Sequence, residues 1–215
     1  MKDRTKFIQQ RFYEDNPKLI DNRQVIDDTA RTLLESALNG AKILVCGNGG
    51  SAADSDHIVG ELMKGFDLKR PIKQEEAERF ESVYKDEGRD IANKLQQTIP
   101  AISLNQHAAL ISAVQNDTDP DMIFAQQVYG YGNEGDVLIG ISTSGNAKNV
   151  VKAMQVANVK KMITIGLTGK TGGQFKNEAK HAVIAPADET YRVQEFHLAI
   201  YHYWCLFIES ELFES

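Results

Sequence analysis

Cysteine is scarce in this chain: Cys46 and Cys205 are the only two in 215 residues. Two are too few for a disulfide framework, and both lie inside apolar runs, so they read as buried thiols of a protein kept in a reducing compartment. Excess positive charge is absent too. Lysine and arginine number 24 against 30 aspartates and glutamates, a net charge of −6. That balance excludes nucleic acid as the principal ligand, because backbone phosphates demand a concentrated cationic face. It leaves room for a small anion held by backbone amides. No stretch approaches the roughly 18 apolar residues of a membrane span, and the N-terminal MKDRTKFIQQRFYEDN has no uninterrupted apolar segment of the signal-peptide kind. The expectation is a cytoplasmic protein with no membrane partner. Internal repeats and low-complexity tracts are likewise missing.

What is present is enough apolar residue, 42% of the chain, for one well-buried core. Val25, Ile26, Ala30, Leu33, Leu34, Ala37 and Leu38 recur at helical spacing between residues 21 and 39, and Asn39-Gly40 supplies a stop. Phe7, Ile8 and Phe12 predict a second helix over 3–13, so that residues 1–40 form a helical extension packing on the core or on a partner subunit. Apolar runs follow at 41–47, 98–104, 136–142 and 161–168, with a weaker fifth at 181–186, separated by helical patterns around 52–64, 107–115 and 146–157. Continuous apolarity marks strands covered on both faces, and strand-helix alternation marks parallel pairing. The predicted fold over 41–215 is therefore α/β: a doubly wound, mainly parallel five-stranded sheet flanked by helices, flavodoxin-like. The charged segment 67–97 exceeds an ordinary connection. It reads as a solvated insertion of one or two amphipathic helices around Gly88, with a lid or subunit contact as the sharper alternative.

The chemistry gathers where strands end. GNGGSAADSDH, residues 47–57, runs from an apolar strand into a helix; its glycines match neither the dinucleotide fingerprint nor a Walker loop. A helix opening near Ser51 would still aim free N–H groups and a positive dipole end at the loop. ISTSGNAKNV, residues 141–150, repeats the arrangement with three hydroxyls, Ser142, Thr143 and Ser144, and no cation before Lys148. Such a loop suits a phosphate held by hydroxyls and amides. LTGKTGG at 167–173 reads mainly as a turn, with Lys170 solvated.

Five segments in series, CGNGGSAADSDHIVGEL, NDTDPDMIFAQQV, GDVLIGISTSGN, IGLTGKTGG and YRVQEFHLAIYH, make the chain resemble the sugar isomerase (SIS) domain family, in particular its phosphoheptose isomerase branch. The resemblance spans most of residues 20–210. It implies an SIS fold, an aldose-ketose isomerisation of sedoheptulose 7-phosphate to a glycero-manno-heptose 7-phosphate, a homotetramer, and zinc at the site. Carried onto matching positions, it implies substrate contacts at Asn48, Gly49, Gly50, Ser51, Glu61, Asn116, Asp117, Ser142, Thr143, Ser144 and Gln194. It implies metal ligands at His57, Glu61, Gln194 and His202, of which Glu61 and His202 match the family's catalytic pair.

Elementary geometry bears on that transfer. His57 and Glu61, four apart, share one helix face beside the glycine loop. Isomerisation through an enediol needs a base at carbon, a partner at oxygen and stabilisation of developing oxyanion charge, the last of which a zinc ion can supply. Gln194 and His202 fit less easily, since eight residues of helix set their Cα atoms about 12 Å apart and about 80° around the axis. His197, one turn after Gln194, competes as a ligand; His107 and His181 read as structural or surface residues. The family pattern is broken at Ala147, where a serine is usual, at Lys64, the nearest cation where an arginine is usual, and across 67–97. A rival from another class is a non-catalytic SIS protein that binds a partner protein or senses a sugar phosphate; retention of all four ligand-type residues argues against it. Schiff-base chemistry at Lys64 or Lys170 lacks the apolar setting that lowers a lysine pKa.

Overall fold

The apolar runs become parallel strands: β1 (Ile43–Gly47), β2 (Ala101–Ser103), β3 (Val137–Ser142), β4 (Ile163–Thr168) and β5 (His181–Ile184), in the order β2-β1-β3-β4-β5. The structure is a computed structural model and describes residues 1–214. Every residue of β1 and β3 is buried, because helices cover both faces of the sheet. Nine helices are found among the described residues: α1 (Asp3–Asp15), α2 (Arg23–Leu38), α3 (Gly50–Met63), α4 (Gln74–Lys94), α5 (Ala108–Asp117), α6 (Ile123–Tyr131), α7 (Lys148–Val159), α8 (Phe175–Glu178) and α9 (Thr190–Phe213).

Strand alternation sorts the core into two layers. Ile43, Val45, Val137, Ile139 and Ile141 face Ile26, Leu33, Ile58, Leu62 and Trp204 of α2, α3 and α9. Leu44, Cys46 and Leu138 face Phe124, Val128, Val150, Met154 and Phe175 on the other side. Both cysteines are free and buried, and burial pushes both thiols up, Cys205 to about 12, so they serve as packing. α1 lies on α9, with Thr5 donating to Ser210 (2.9 Å) and Phe12 stacked on Tyr203 at 4.4 Å between centroids. The hydroxyls of Tyr13 and Tyr203 both donate to the buried Asp27, at 2.9 and 2.7 Å.

Two elements differ from expectation. α6 begins inside the NDTDPDMIFAQQV segment, where a nine-residue helix after a proline turn leaves too short a periodic pattern to stand out. The 67–97 segment forms two helical stretches, but the break falls at Lys85 (φ 56°, ψ −126°) and not at Gly88. Gly88 is instead where the returning stretch passes the Phe80 carbonyl, which any Cβ there would strike. The result is a helical hairpin. Its neck is closed by Gln97 N–H donating to the Arg70 carbonyl (2.7 Å) and a bridge between Pro71 and Gln96. No helix among the described residues is long and apolar enough to cross a membrane.

Candidate active site

Strand order reverses between β1 and β3, and in open α/β sheets the crevice beyond such a switch point is where ligands bind. Register makes the crevice concrete. Gly47 pairs with Ile141, so residues 48–51 lie beside 142–145, and Ser142 pairs with Thr168, which brings the third loop alongside. The first two loops are joined by a reciprocal amide pair, Asn48 and Asn149 each donating to the other at 2.9 Å. Gly49 takes φ 57° to turn the chain into α3, a conformation that costs glycine little. Gly145 (φ 67°) passes so close to the Gly172 carbonyl that no Cβ fits, which fixes Ser142–Ser144 against the third loop. Ser142 is buried; Ser144 accepts from the Asn146 N–H at 3.3 Å. Ala147 caps α7 without a side-chain hydrogen bond.

α3 then carries its side chains away from this crevice and toward α9. His57 Nε2 stands 3.3 Å from Glu61 Oε1, and Lys64 is 3.2 Å from the other Glu61 oxygen. His57 Nδ1 is 3.0 Å from the Tyr201 hydroxyl, which donates to Asp54 Oδ1 at 3.2 Å. The His202 ring meets the His57 ring edge-on at 5.0 Å and is packed by Phe66 at 5.4 Å. Burial and then the neighbouring His57 lower the His202 pKa, Glu61 opposing them, and its buried Nε2 has no hydrogen-bond partner. Burial raises the Asp54 pKa, with the Tyr201 hydrogen bond and His57 opposing.

The structure thus brings His57, Glu61 and His202 together, while Gln194 goes elsewhere. α9 runs unbroken through both residues, and the Gln194 amide packs onto Gly50 at the glycine loop, where a Cβ would collide with it. As the side chains stand, no group of three or more His, Cys, Asp or Glu among the described residues is set to hold a metal ion. Asn116 and Asp117 hydrogen-bond each other (2.8 Å) in the exposed last turn of α5. His197 belongs to neither group: fully buried, it has Nε2 3.1 Å from the Thr168 carbonyl, and burial drops its pKa to about 4. His107 accepts from the Leu110 N–H at the start of α5, and His181 pairs with Thr32 at 3.0 Å. Lys170 is exposed.

Sequence reasoning passed over Tyr201, Asp54 and Asn149, although all three stand inside the quoted motifs. It also passed over a buried ion pair. Arg70 Nε lies 2.7 Å from Glu209 Oε1, both at 1% exposure, and the guanidinium donates to the carbonyls of Leu62 (3.0 Å) and Glu61 (3.2 Å). Glu209 also accepts the N–H groups of Phe66, Asp67 and Leu68. Arg70 therefore caps the C-terminal end of α3, while Glu209 holds the loop that carries Phe66 onto His202.

Fold and site define a doubly wound α/β protein with hydroxyl- and amide-lined strand ends beside an acid-base cluster. The chain belongs to the SIS domain family, whose model matches residues 18–90 and 84–169, the two stretches meeting within α4. It is 36% identical over 192 residues to the phosphoheptose isomerase of Maridesulfovibrio salexigens, covering 89% of this chain and 81% of that one. Against the phosphoheptose isomerase of Clostridium acetobutylicum it is 38% identical over 188 residues, 87% and 83% of the two chains. The solved phosphoheptose isomerase of Neisseria gonorrhoeae superposes with a TM-score of 0.71 at 30% identity, over 94% of this chain and 93% of that one. That of Francisella tularensis gives 0.72 at 32% identity, over 87% and 86%.

Proposed function

We propose that the protein is a phosphoheptose isomerase, interconverting sedoheptulose 7-phosphate and D-glycero-D-manno-heptose 7-phosphate. The observation that carries this reading is that Glu61 and His202, 141 positions apart in the chain, both flank His57, on the helix that the first switch-point loop opens. Asn48, Gly49, Gly50, Ser51, Ser142, Thr143 and Ser144 would hold the sugar phosphate through amides and hydroxyls, with Gln194 reaching the sugar from its seat on Gly50. Asn116 and Asp117 complete the substrate contacts in this proposal.

In the ketose-to-aldose direction Glu61 takes a proton from C1 and returns one to C2. His202 gives a proton to the C2 oxygen and receives one from the C1 hydroxyl, so the enediol forms and collapses with no net gain or loss. Zinc belongs to the same proposal. The imidazoles of His57 and His202 and the Glu61 carboxylate are donors of the type zinc takes, and the unpartnered His202 Nε2 supports the fit; Gln194, seated on Gly50, would have to swing from the glycine loop to join them. Bound there, zinc would polarise the sugar carbonyl as a Lewis acid.

A homotetramer is also proposed. A cleft of about 500 Å³ beside α1 reaches His202 and Phe66 and is rimmed by Phe7, an apolar side chain 62% exposed in the single chain. Light scattering would then give about four times the 23.9 kDa chain mass. The activity is tested by following sedoheptulose 7-phosphate by NMR in D₂O with added zinc. Growth of the aldose with solvent deuterium at C2 is expected. A protein that isomerises no heptose or hexose phosphate would overturn the reading.

A further inference from the structure

His57 makes two contacts that constrain each other. Its Nδ1 meets the Tyr201 hydroxyl at 3.0 Å, and its Nε2 points at Glu61 Oε1, 3.3 Å away. Tyr201 has a single proton to give. That proton goes to Asp54 Oδ1 at 3.2 Å, since an ionised carboxylate can only accept. The hydroxyl is then left with lone pairs toward His57, and Nδ1 must supply the hydrogen between them. Asp54 and His57 lie three apart on α3, on the same face, and Tyr201 is 1% exposed on α9. The three-member chain is thus held by two packed helices.

We propose that Tyr201 and Asp54 are positioning residues that fix the His57 imidazole with its proton on Nδ1, so that Nε2 presents a lone pair to Glu61 and His202. This rests on the isomerase reading above and deepens it. A lone pair on Nε2 facing the Glu61 carboxylate across 3.3 Å is an arrangement of two acceptors, stable only with a proton or a cation between them. The buried Nε2 of His202 is unpartnered too, and its ring centroid lies 5.0 Å from that of His57. The relay therefore keeps the site ready for a cation or a travelling proton. A ligating histidine ordinarily gives its other N–H to a fixed acceptor, and loss of such an outer partner typically costs about 10–100-fold in metal affinity or activity. Here that acceptor is a tyrosine oxygen oriented in turn by Asp54.

The test begins with ¹⁵N-histidine NMR of the metal-free protein, where His57 is expected as the Nδ1–H tautomer. Tyr201→Phe, which removes one oxygen and keeps the ring, should turn His57 into a mixture of tautomers. It should also weaken cobalt(II) binding about 10–100-fold and lower kcat to a similar degree, with KM for the sugar phosphate held within about twofold. Asp54→Asn, whose amide can donate as well as accept, should relax the tautomer preference, and Asp54→Ala should reproduce Tyr201→Phe. An Nε2–H tautomer in the wild-type protein would overturn the proposal. So would a folded Tyr201→Phe protein with unchanged tautomer and cobalt affinity. Because tautomer and cobalt binding are read without turnover, a protein inactive on heptose phosphates would sink the isomerase reading alone.

Discussion

The crevice at the β1/β3 switch point and the cluster between α3 and α9 are joined by a single helix, yet they are made from different material. The crevice is largely backbone: Gly49, Gly50 and Gly145, the turn at Gly172, and short hydroxyl side chains, positioned by parallel strand register. The cluster is side chain throughout: His57, Glu61, Tyr201, Asp54 and His202, positioned by hydrogen bonds and ring packing across helices. Backbone sites are upset by an added atom, side-chain sites by a removed proton or partner. The two regions should therefore fail differently, with the crevice failing in KM and the cluster in kcat.

Glu61→Gln offers the largest separation. It keeps shape but removes the proposed base, so kcat should fall about 10²–10⁴-fold, the range of general acid-base catalysis, while KM moves little. Steady-state kinetics with sedoheptulose 7-phosphate would show it; a variant failing in KM alone would erase the distinction. Next comes a pH effect at the crevice end of α9. His197 has its pKa lowered to about 4, so between about pH 6.5 and pH 4 the unfolded chain takes up a proton that the folded chain refuses. Its contribution is whole above that window and is lost on acidification through it, by about 3 kcal/mol. Urea titrations from pH 7 to pH 4 should show the decline, less steeply in His197→Gln.

Gly145→Ala is smaller. Its positive φ and the Gly172 carbonyl oppose a Cβ, so stability should drop about 1–3 kcal/mol and KM rise about tenfold, with kcat held within about threefold. The smallest effect runs the other way. Ala147→Ser adds a hydroxyl at the uncapped start of α7, worth about 1 kcal/mol as a cap or phosphate donor, and should lower KM a few-fold.

The two regions were also unequally legible in the sequence. Crevice residues lie within a few positions of strand ends, so an apolar run followed by glycines and hydroxyls locates them, and the parallel sheet follows from the same runs. The cluster depends on the phase of two helices whose contacting residues, Asp54 and Tyr201, are 147 positions apart. Helical spacing pairs His57 with Glu61, but spacing does not say which α9 residue meets them; only the motif resemblance pointed to His202. The unbroken course of α9 explains why Gln194 and His202 part company, one to the glycine loop and one to the cluster. Arg70 does not stand out in the sequence, for a related reason. Within a segment of charged residues it reads as solvated, and only its pairing with Glu209, 139 positions away, makes it buried.

That pairing also bears on the helical hairpin of residues 72–95. The guanidinium and carboxylate are sealed beneath α3 immediately before Pro71, and strands of backbone at Arg70–Pro71 and Gln96–Gln97 are stitched together at the root of the hairpin. Everything from residue 72 to residue 95 leaves and returns through one narrow doorway whose frame is anchored in the protein's interior. An engineer can treat what lies outside such a doorway as a socket for grafted cargo while the fold behind it stays in register.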